Sequence, residues 1–179
     1  AEYYENDGTL RNYDTYEYDK AGTRIRENRF NRNGILEEYV VPEFDRDGNR
    51  IKESVYRADG TLETVSEYDE NEKQIKWSWF DEEGEMLFYR TYEYDEMGYK
   101  VRSDRYEVDG TLEYYTVYEY DKIGNPTKEN QYRPDGTLEF YSLVECDEEG
   151  TRIKESEYRA DDTLYQLFEY GENGRLAKV

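Results

Sequence analysis

Asp109 to Pro134 reads DGTLEYYTVYEYD followed by KIGNPTKENQYRP, and every other stretch of the chain is a variant of it. An Asp-Gly turn opens the stretch, a second turn from Asp121 to Gly124 divides it, and each half is long enough for one strand. Glycines at 8, 34, 60, 84, 110 and 136, with Asp162 in the seventh slot, stand 26, 26, 24, 26, 26 and 26 residues apart. A second turn recurs at Gly22, Gly48, Glu72, Gly98, Gly124, Gly150 and Gly174. Each unit is therefore two strands and two turns.

Side-chain parity gives the strands their faces. Leu10, Leu36, Leu62, Met86, Leu112, Leu138 and Leu164 lie two residues after their turn, and Tyr16, Tyr18, Tyr92, Tyr94, Tyr118, Tyr120, Val144 and Cys146 lie eight or ten after. Even offsets in a strand share a face, so these residues are expected on one core-facing side. Tyr13, Tyr39, Tyr89, Tyr115 and Tyr141, at offset five, are expected on the opposite side. The third and seventh units are two residues shorter in this strand, which preserves the parity of everything that follows.

In the second strand Ile25, Ile51, Ile75, Val101, Thr127 and Ile153 come three after the turn, and Phe30, Tyr56, Phe80, Tyr106, Tyr132 and Tyr158 eight after. Three and eight differ in parity, so either both faces are used or a bulge intervenes. A basic row, Arg26, Lys52, Lys76, Arg102, Lys128 and Lys154, is expected to form cross-strand ion pairs with Glu37, Glu63, Glu113 and Glu139 of the first strands. Pro42 and Pro126 each remove a ladder donor, and local irregularity is expected at both.

The expected fold is all-β: a repetitive antiparallel meander of about seven two-stranded repeats in a twisted or coiled sheet, as a solenoid, a spiral or a closed barrel-like form. Residues 1–179 read as a single repeat domain with half-units at both termini. Composition qualifies this. Leu, Ile, Val and Phe are under a fifth of 179 residues and the net charge is -21, values that alone suggest disorder. The 22 tyrosines, regularly spaced, supply rigid apolar bodies instead, so the chain reads as ordered but thinly cored.

Several functions are disfavoured. With no His, imidazole metal sites and His-based acid/base catalysis are absent, and one Cys allows no internal disulfide. An excess of carboxylates repels nucleic acid, and no apolar run reaches the ~20 residues of a membrane helix. Asp45-Arg46-Asp47-Gly48-Asn49 resembles part of a calcium loop but lacks its remaining ligands; a solvated turn is the plainer reading. Carboxylates are too abundant for any pair to read as catalytic. Cys146 occupies an aromatic slot and is expected as a buried small hydrophobe. Catalytic residues, metal ligands and cofactors are assigned to none.

The recurring YEYDKAG, YEYDEMG and YEYDKIG resemble the YD repeats of Rhs-type proteins. That resemblance implies a secreted or cell-surface β-sheet scaffold and lends no catalytic residue. The unit here is longer and more acidic than in that family, and seven units are too few for a closed shell. Candidate binding residues are the aromatic rows: Tyr13, Tyr39, Trp77, Trp79, Tyr89, Tyr115 and Tyr141. The expected partners are further copies of the chain, in a filament or ring, or another surface protein or glycan. Two other functions fit the composition: a carbohydrate-binding module using the Tyr and Trp rows, and an acidic inhibitor or immunity protein masking a basic partner. The sequence starts at Ala1, which is expected of a removed signal peptide or a trimmed chain. AEYYENDG and GRLAKV read as the two halves of one strand, which motivates head-to-tail association through the terminal strands.

Overall fold

The computed structural model describes residues 1–4, 9–171 and 176–178, so the expected turns at Asp7-Gly8 and Gly174 lie outside the described residues. The strands are β1 (Glu2–Tyr4), β2 (Leu10–Tyr18), β3 (Arg24–Asn31), β4 (Leu36–Phe44), β5 (Arg50–Arg57), β6 (Leu62–Tyr68), β7 (Gln74–Phe80) and β8 (Met86–Tyr94). They continue with β9 (Lys100–Glu107), β10 (Leu112–Tyr120), β11 (Pro126–Tyr132), β12 (Leu138–Cys146), β13 (Arg152–Arg159), β14 (Leu164–Tyr170) and β15 (Leu176–Lys178). Strand order follows the chain from β1 to β15 without a crossover, an open all-β meander with β1 and β15 as its ends; the closed barrel-like variant is not the one adopted. The chain divides into two compact units, Ala1–Arg90 and Thr91–Val179, and the registers described below lie within one or the other.

The turns follow from Asp and Gly. At Asp19 the carbonyl accepts from Gly22 N at 3.1 Å, the amide donates to Thr23 O at 2.9 Å, and Oδ1 accepts from the amides of Ala21 and Thr23. The same pattern at Asp45 engages Oδ1 with Asp47 N and Asn49 N, and Oδ2 with Asn49 Nδ2. That carboxylate closes a turn, with three hydrogen bonds committed to it. The fourth turn residue must take positive φ, so glycine fills most slots. Glu72 (φ 58) and Asp162 (φ 64) adopt it without being glycine.

The register corrects the assignment of faces. Leu112 opposes Tyr106, but the next pair is Tyr114 with Arg105, leaving Glu113 as the extra residue of a β-bulge. The same skip falls at Arg11, Glu37, Glu63, Glu139 and Tyr165. One extra residue turns the strand over, so the leucines share the side of Tyr13, Tyr39, Tyr115 and Tyr141, and Tyr16, Tyr18, Tyr118 and Tyr120 take the other. Counting from the turn without the bulge puts the leucines on the wrong side.

A second bulge resolves the parity of the second strands. Ile25, Ile51, Ile75, Thr127 and Ile153 are the skipped residues. Four of these positions are isoleucines that stay about 40% exposed, from 39% at Ile153 to 44% at Ile25, so the row is not core. Pro42 sits in regular register with Glu53, because β3 pairs with β4 only as far as Val40 and asks nothing of the proline nitrogen. Pro126 is the first residue of β11 and pairs with Tyr120 at the bulge. Cys146 is half-buried, more open than expected, where β12 meets the bulge in β13.

Among the described residues the buried apolar set is Val40, Val65 and Val144. The continuous buried row is polar: Asn28, Ser54, Ser78, Asp104, Asn130 and Ser156, one in each second strand. Short side chains here leave room for neighbouring rings and cations to lie over the sheet, and at Asn28, Asp104 and Asn130 hydrogen bonds offset the burial. Asn28 Nδ2 donates to Glu17 at 3.0 Å, and its Oδ1 accepts from Arg26 Nε at 2.6 Å; Asn130 Nδ2 donates to Glu119 at 2.9 Å.

Candidate functional site

The seven aromatic candidates divide between the two faces. Tyr13, Tyr39, Tyr115 and Tyr141 stack on the ring opposite in the next strand, Phe30, Tyr56, Tyr132 and Tyr158, with centroids 5.0–5.1 Å apart. From the preceding strand a cation covers the other side: Arg26 over Tyr39 at 3.6 Å, Lys76 over Tyr89 at 5.0 Å, Arg102 over Tyr115 at 4.0 Å and Lys128 over Tyr141 at 5.0 Å. Ring stacking and cation–π contacts of this kind contribute about 0.5–1.5 kcal/mol each. A sugar or base would have to displace one of them to stack.

The basic row also makes cross-strand ion pairs, but not with the glutamates expected from sequence: Glu63, Glu113 and Glu139, the skipped residues of the bulges, pair instead with Arg57, Arg105 and Arg133. Glu43 pairs with Lys52 at 2.8 Å, Glu67 with Lys76 at 3.3 Å and Glu145 with Lys154 at 2.6 Å, each directly cross-strand. The tyrosine hydroxyls extend over the next repeat's turn: a Cβ added to Gly34 would lie 3.5 Å from Tyr13 Oη. In the last repeat Asp162 replaces that glycine and accepts from Tyr141 Oη at 2.8 Å, which raises the tyrosine's pKa. Val65 takes the tyrosine slot in the shortened third unit, with no ring to stack.

Trp77 and Trp79 lie on the opposite face, set by Ser66 and Thr64 across from them. They meet edge-on at 5.4 Å, and Trp77 meets Phe88 edge-on at 5.8 Å. The tryptophans and the tyrosine row therefore do not form one surface.

A concavity on that opposite face, in the second compact unit, was not found from sequence. It has a volume of about 380 Å³ and is lined by Thr116, Glu129, Gln131, Phe140, Ser142, Glu155, Glu157 and Tyr165, with Tyr141 at its edge. Register places Ser142 directly between Glu129 on β11 and Glu157 on β13. Phe140 and Tyr165 form an apolar wall, with ring centroids 6.2 Å apart. Burial raises the Glu129 carboxyl's pKa, partly opposed by Arg152 and reinforced by Glu155; burial and then repulsion from Glu155 and Glu129 raise that of Glu157. Arg152 is held by Glu155 at 2.7 Å and reaches Glu129 at 3.8 Å.

One signal in the sequence marks this place. Seven residues after the second turn the repeats carry Arg29, Val55, Trp79, Arg105, Gln131 and Glu157, so the last repeat reverses the sign found in the first and fourth. The reversal is visible in an alignment of the repeats, but its meaning depends on the bulges that set which groups surround it. No group of three or more His, Cys, Asp or Glu among the described residues is arranged to hold a metal ion.

A family model described as a protein of unknown function, DUF2963, matches residues 37–79, less than a quarter of the chain. No curated protein matches. Among solved structures, a porin-like protein from Bacteroides uniformis aligns over 91% of this chain and 79% of its own at 11% identity and a TM-score of 0.50. The likeness is one of fold, a repetitive β-sheet. The TcdB2-TccC3-Cdc42 structure aligns over 87% of this chain at 13% identity and a TM-score of 0.43, and this chain spans about a tenth (10%) of that one's length.

Proposed function

We propose that the chain is a non-enzymatic structural or interaction scaffold of a secreted or cell-surface repeat protein, of the YD-repeat kind. One observation carries this reading: outside the groove around Ser142, the side chains that could do chemistry recur from unit to unit and are occupied by contacts within the sheet. Turn aspartates accept backbone amides, tyrosines lie between a ring and a cation, and row glutamates hold lysines. The Asp of each YEYD run begins a turn, as at Asp19, Asp95 and Asp121, which supports the YD-repeat resemblance.

Self-association through terminal strands is part of the proposal. All three residues of β1 are exposed and β1 lies at one end of the strand order, where an unpaired strand is a template for another chain. Sedimentation velocity across a hundredfold concentration range tests it. Growing oligomers, reduced by Tyr3→Pro, are the expected result, and a strict monomer throughout would overturn this part of the proposal.

A second reading, the binding of a basic partner, is favoured by the groove around Ser142. A glycan-binding role has less support from the tyrosine row, whose ring faces are covered. If it holds, Trp77→Ala abolishes the signal on a glycan array.

A further inference from the structure

We infer that the groove between β10 and β14 is a docking site for an arginine side chain of a partner protein, received between Glu129, Ser142 and Glu157 with its stem against Phe140 and Tyr165. The inference rests on the interaction-scaffold reading and gives it a place and a partner chemistry.

The first repeat carries a guanidinium at the equivalent position, held by a different pair of carboxylates. At the equivalent position of the first repeat, Arg29 lies between two carboxylates, with Nε 3.4 Å from Glu27 and NH1 in close contact with Glu38. By register Glu155 corresponds to Glu27, Glu157 to Arg29, Ser142 to Asp14 and Gln166 to Glu38. The last repeat thus keeps the acidic neighbour, loses the guanidinium and replaces it with a further carboxylate. Glu157 has no hydrogen bond or ion pair among the described residues. Arg152 is engaged by Glu155 and Glu129 and leaves Glu157 without it.

Ser142 adds a hydroxyl to the groove. It is 8% exposed, and its hydroxyl has no hydrogen-bond partner among the described residues although it lines the groove. Facing the groove, that hydroxyl is available to an incoming donor or acceptor. The groove is too roomy for a bare ion, and its apolar wall suits a cation carried on a carbon stem. Arginine's planar fork can donate to two carboxylates and a hydroxyl at once, while its methylenes cover a ring. The chain's net charge of -21 favours the approach of such a partner.

The test is a titration of the 15N-labelled full chain with the blocked peptide Gly-Arg-Gly-Arg-Gly, beside its citrulline counterpart, which keeps the shape without the charge. Saturable shifts confined to the amides of Phe140, Ser142, Glu157 and Tyr165, absent with citrulline, are expected. Glu157→Arg supplies the missing guanidinium from within and should abolish the shifts while holding or raising the melting temperature, so lost binding is not lost folding. Glu129→Gln with Glu157→Gln should weaken binding at least fivefold, and Glu82→Gln with Glu83→Gln, an equal charge change on exposed turn residues, by less than twofold. Equal weakening by both pairs, shifts spread over both compact units, or undiminished binding by Glu157→Arg would overturn the assignment. A peptide that does not bind at all removes the groove's role and leaves the scaffold reading to its sedimentation test.

Discussion

The two faces of the sheet follow different rules. On the tyrosine face the repeats of Tyr39, Tyr115 and Tyr141 do the same thing: a ring stacks on the next strand's ring, a cation covers it, and a small polar residue lies buried beneath, while the two shortened units put Val65 and Leu167 in that slot. On the opposite face the repeats diverge, with a tryptophan pair in one unit and a carboxylate-rich hollow in the other. Periodicity marks what holds the sheet together, since every copy must meet its neighbours in the same way. Departure from periodicity marks what is left over for something else.

The sharpest way to break that contrast is to remove a ring from each face. Tyr115→Ala loses the stack on Tyr132 and the cover of Arg102, and should cost about 2–3 kcal/mol in urea unfolding. Phe140→Ala, in the groove, should cost under about half as much because its ring is 38% exposed. Equal costs would mean that the two faces share the load.

Next in size is the buried polar row. Asn130→Ala removes the donor to Glu119, and should cost about 1–2 kcal/mol. No loss at all would show that the row is filler rather than support.

The turn glycines give a smaller and opposite effect. Glu72→Gly relieves a positive φ and should raise stability by about 1 kcal/mol. Asp162→Gly relieves the same strain but loses the bond from Tyr141, so its gain should be smaller. Thermal melts of the two variants side by side check the order.

The smallest effect is in pH. Backbone amides of Thr61, Thr111, Asn125 and Thr137 hold the carboxyls of Asp59, Asp109, Asp121 and Asp135 below the usual range. A depressed folded pKa contributes stability that is complete above the unfolded value, about 3.9, and is lost as pH falls below it. Glu129 and Glu157 have raised values, so their sign is reversed: their cost is full at neutral pH and fades toward the unfolded value of about 4.3. Glu129→Gln should therefore be more stable than the unsubstituted chain at pH 7, with the difference gone near pH 4. A difference that grows on acidification would contradict that origin.

Much of the fold could be read from the chain because Asp and Gly fix turns whose spacing the eye can count. Strand number and antiparallel order follow from that spacing, as does a basic row in ion pairs, but which glutamates hold its lysines does not. The parity of Ile25 and Phe30 admits a bulge in the second strands as one of two readings, but the bulge of the first strands leaves no such sign, since nothing in Glu113 distinguishes an extra residue from a paired one. The side occupied by Leu112 was lost with it. The candidate site suffered most. Tyr39 and its relatives attract attention by repeating, yet repetition is what commits them to packing. Ser142 and Glu157 look ordinary until the register sets them beside Glu129.

The central claim, that the periodic face is an interchangeable structural unit, is tested most directly by deleting one whole repeat. Removing residues 110–135 joins Asp109 to Gly136, keeps the Asp-Gly turn, and brings Arg102 toward Tyr141, which still stacks on Tyr158. Urea unfolding followed by circular dichroism should then show a single cooperative transition, with strand signal per residue unchanged and an m-value lower by about a seventh. A broad transition, or loss of the strand signal, would mean that the repeats are not equivalent and that the account of the periodic face is wrong.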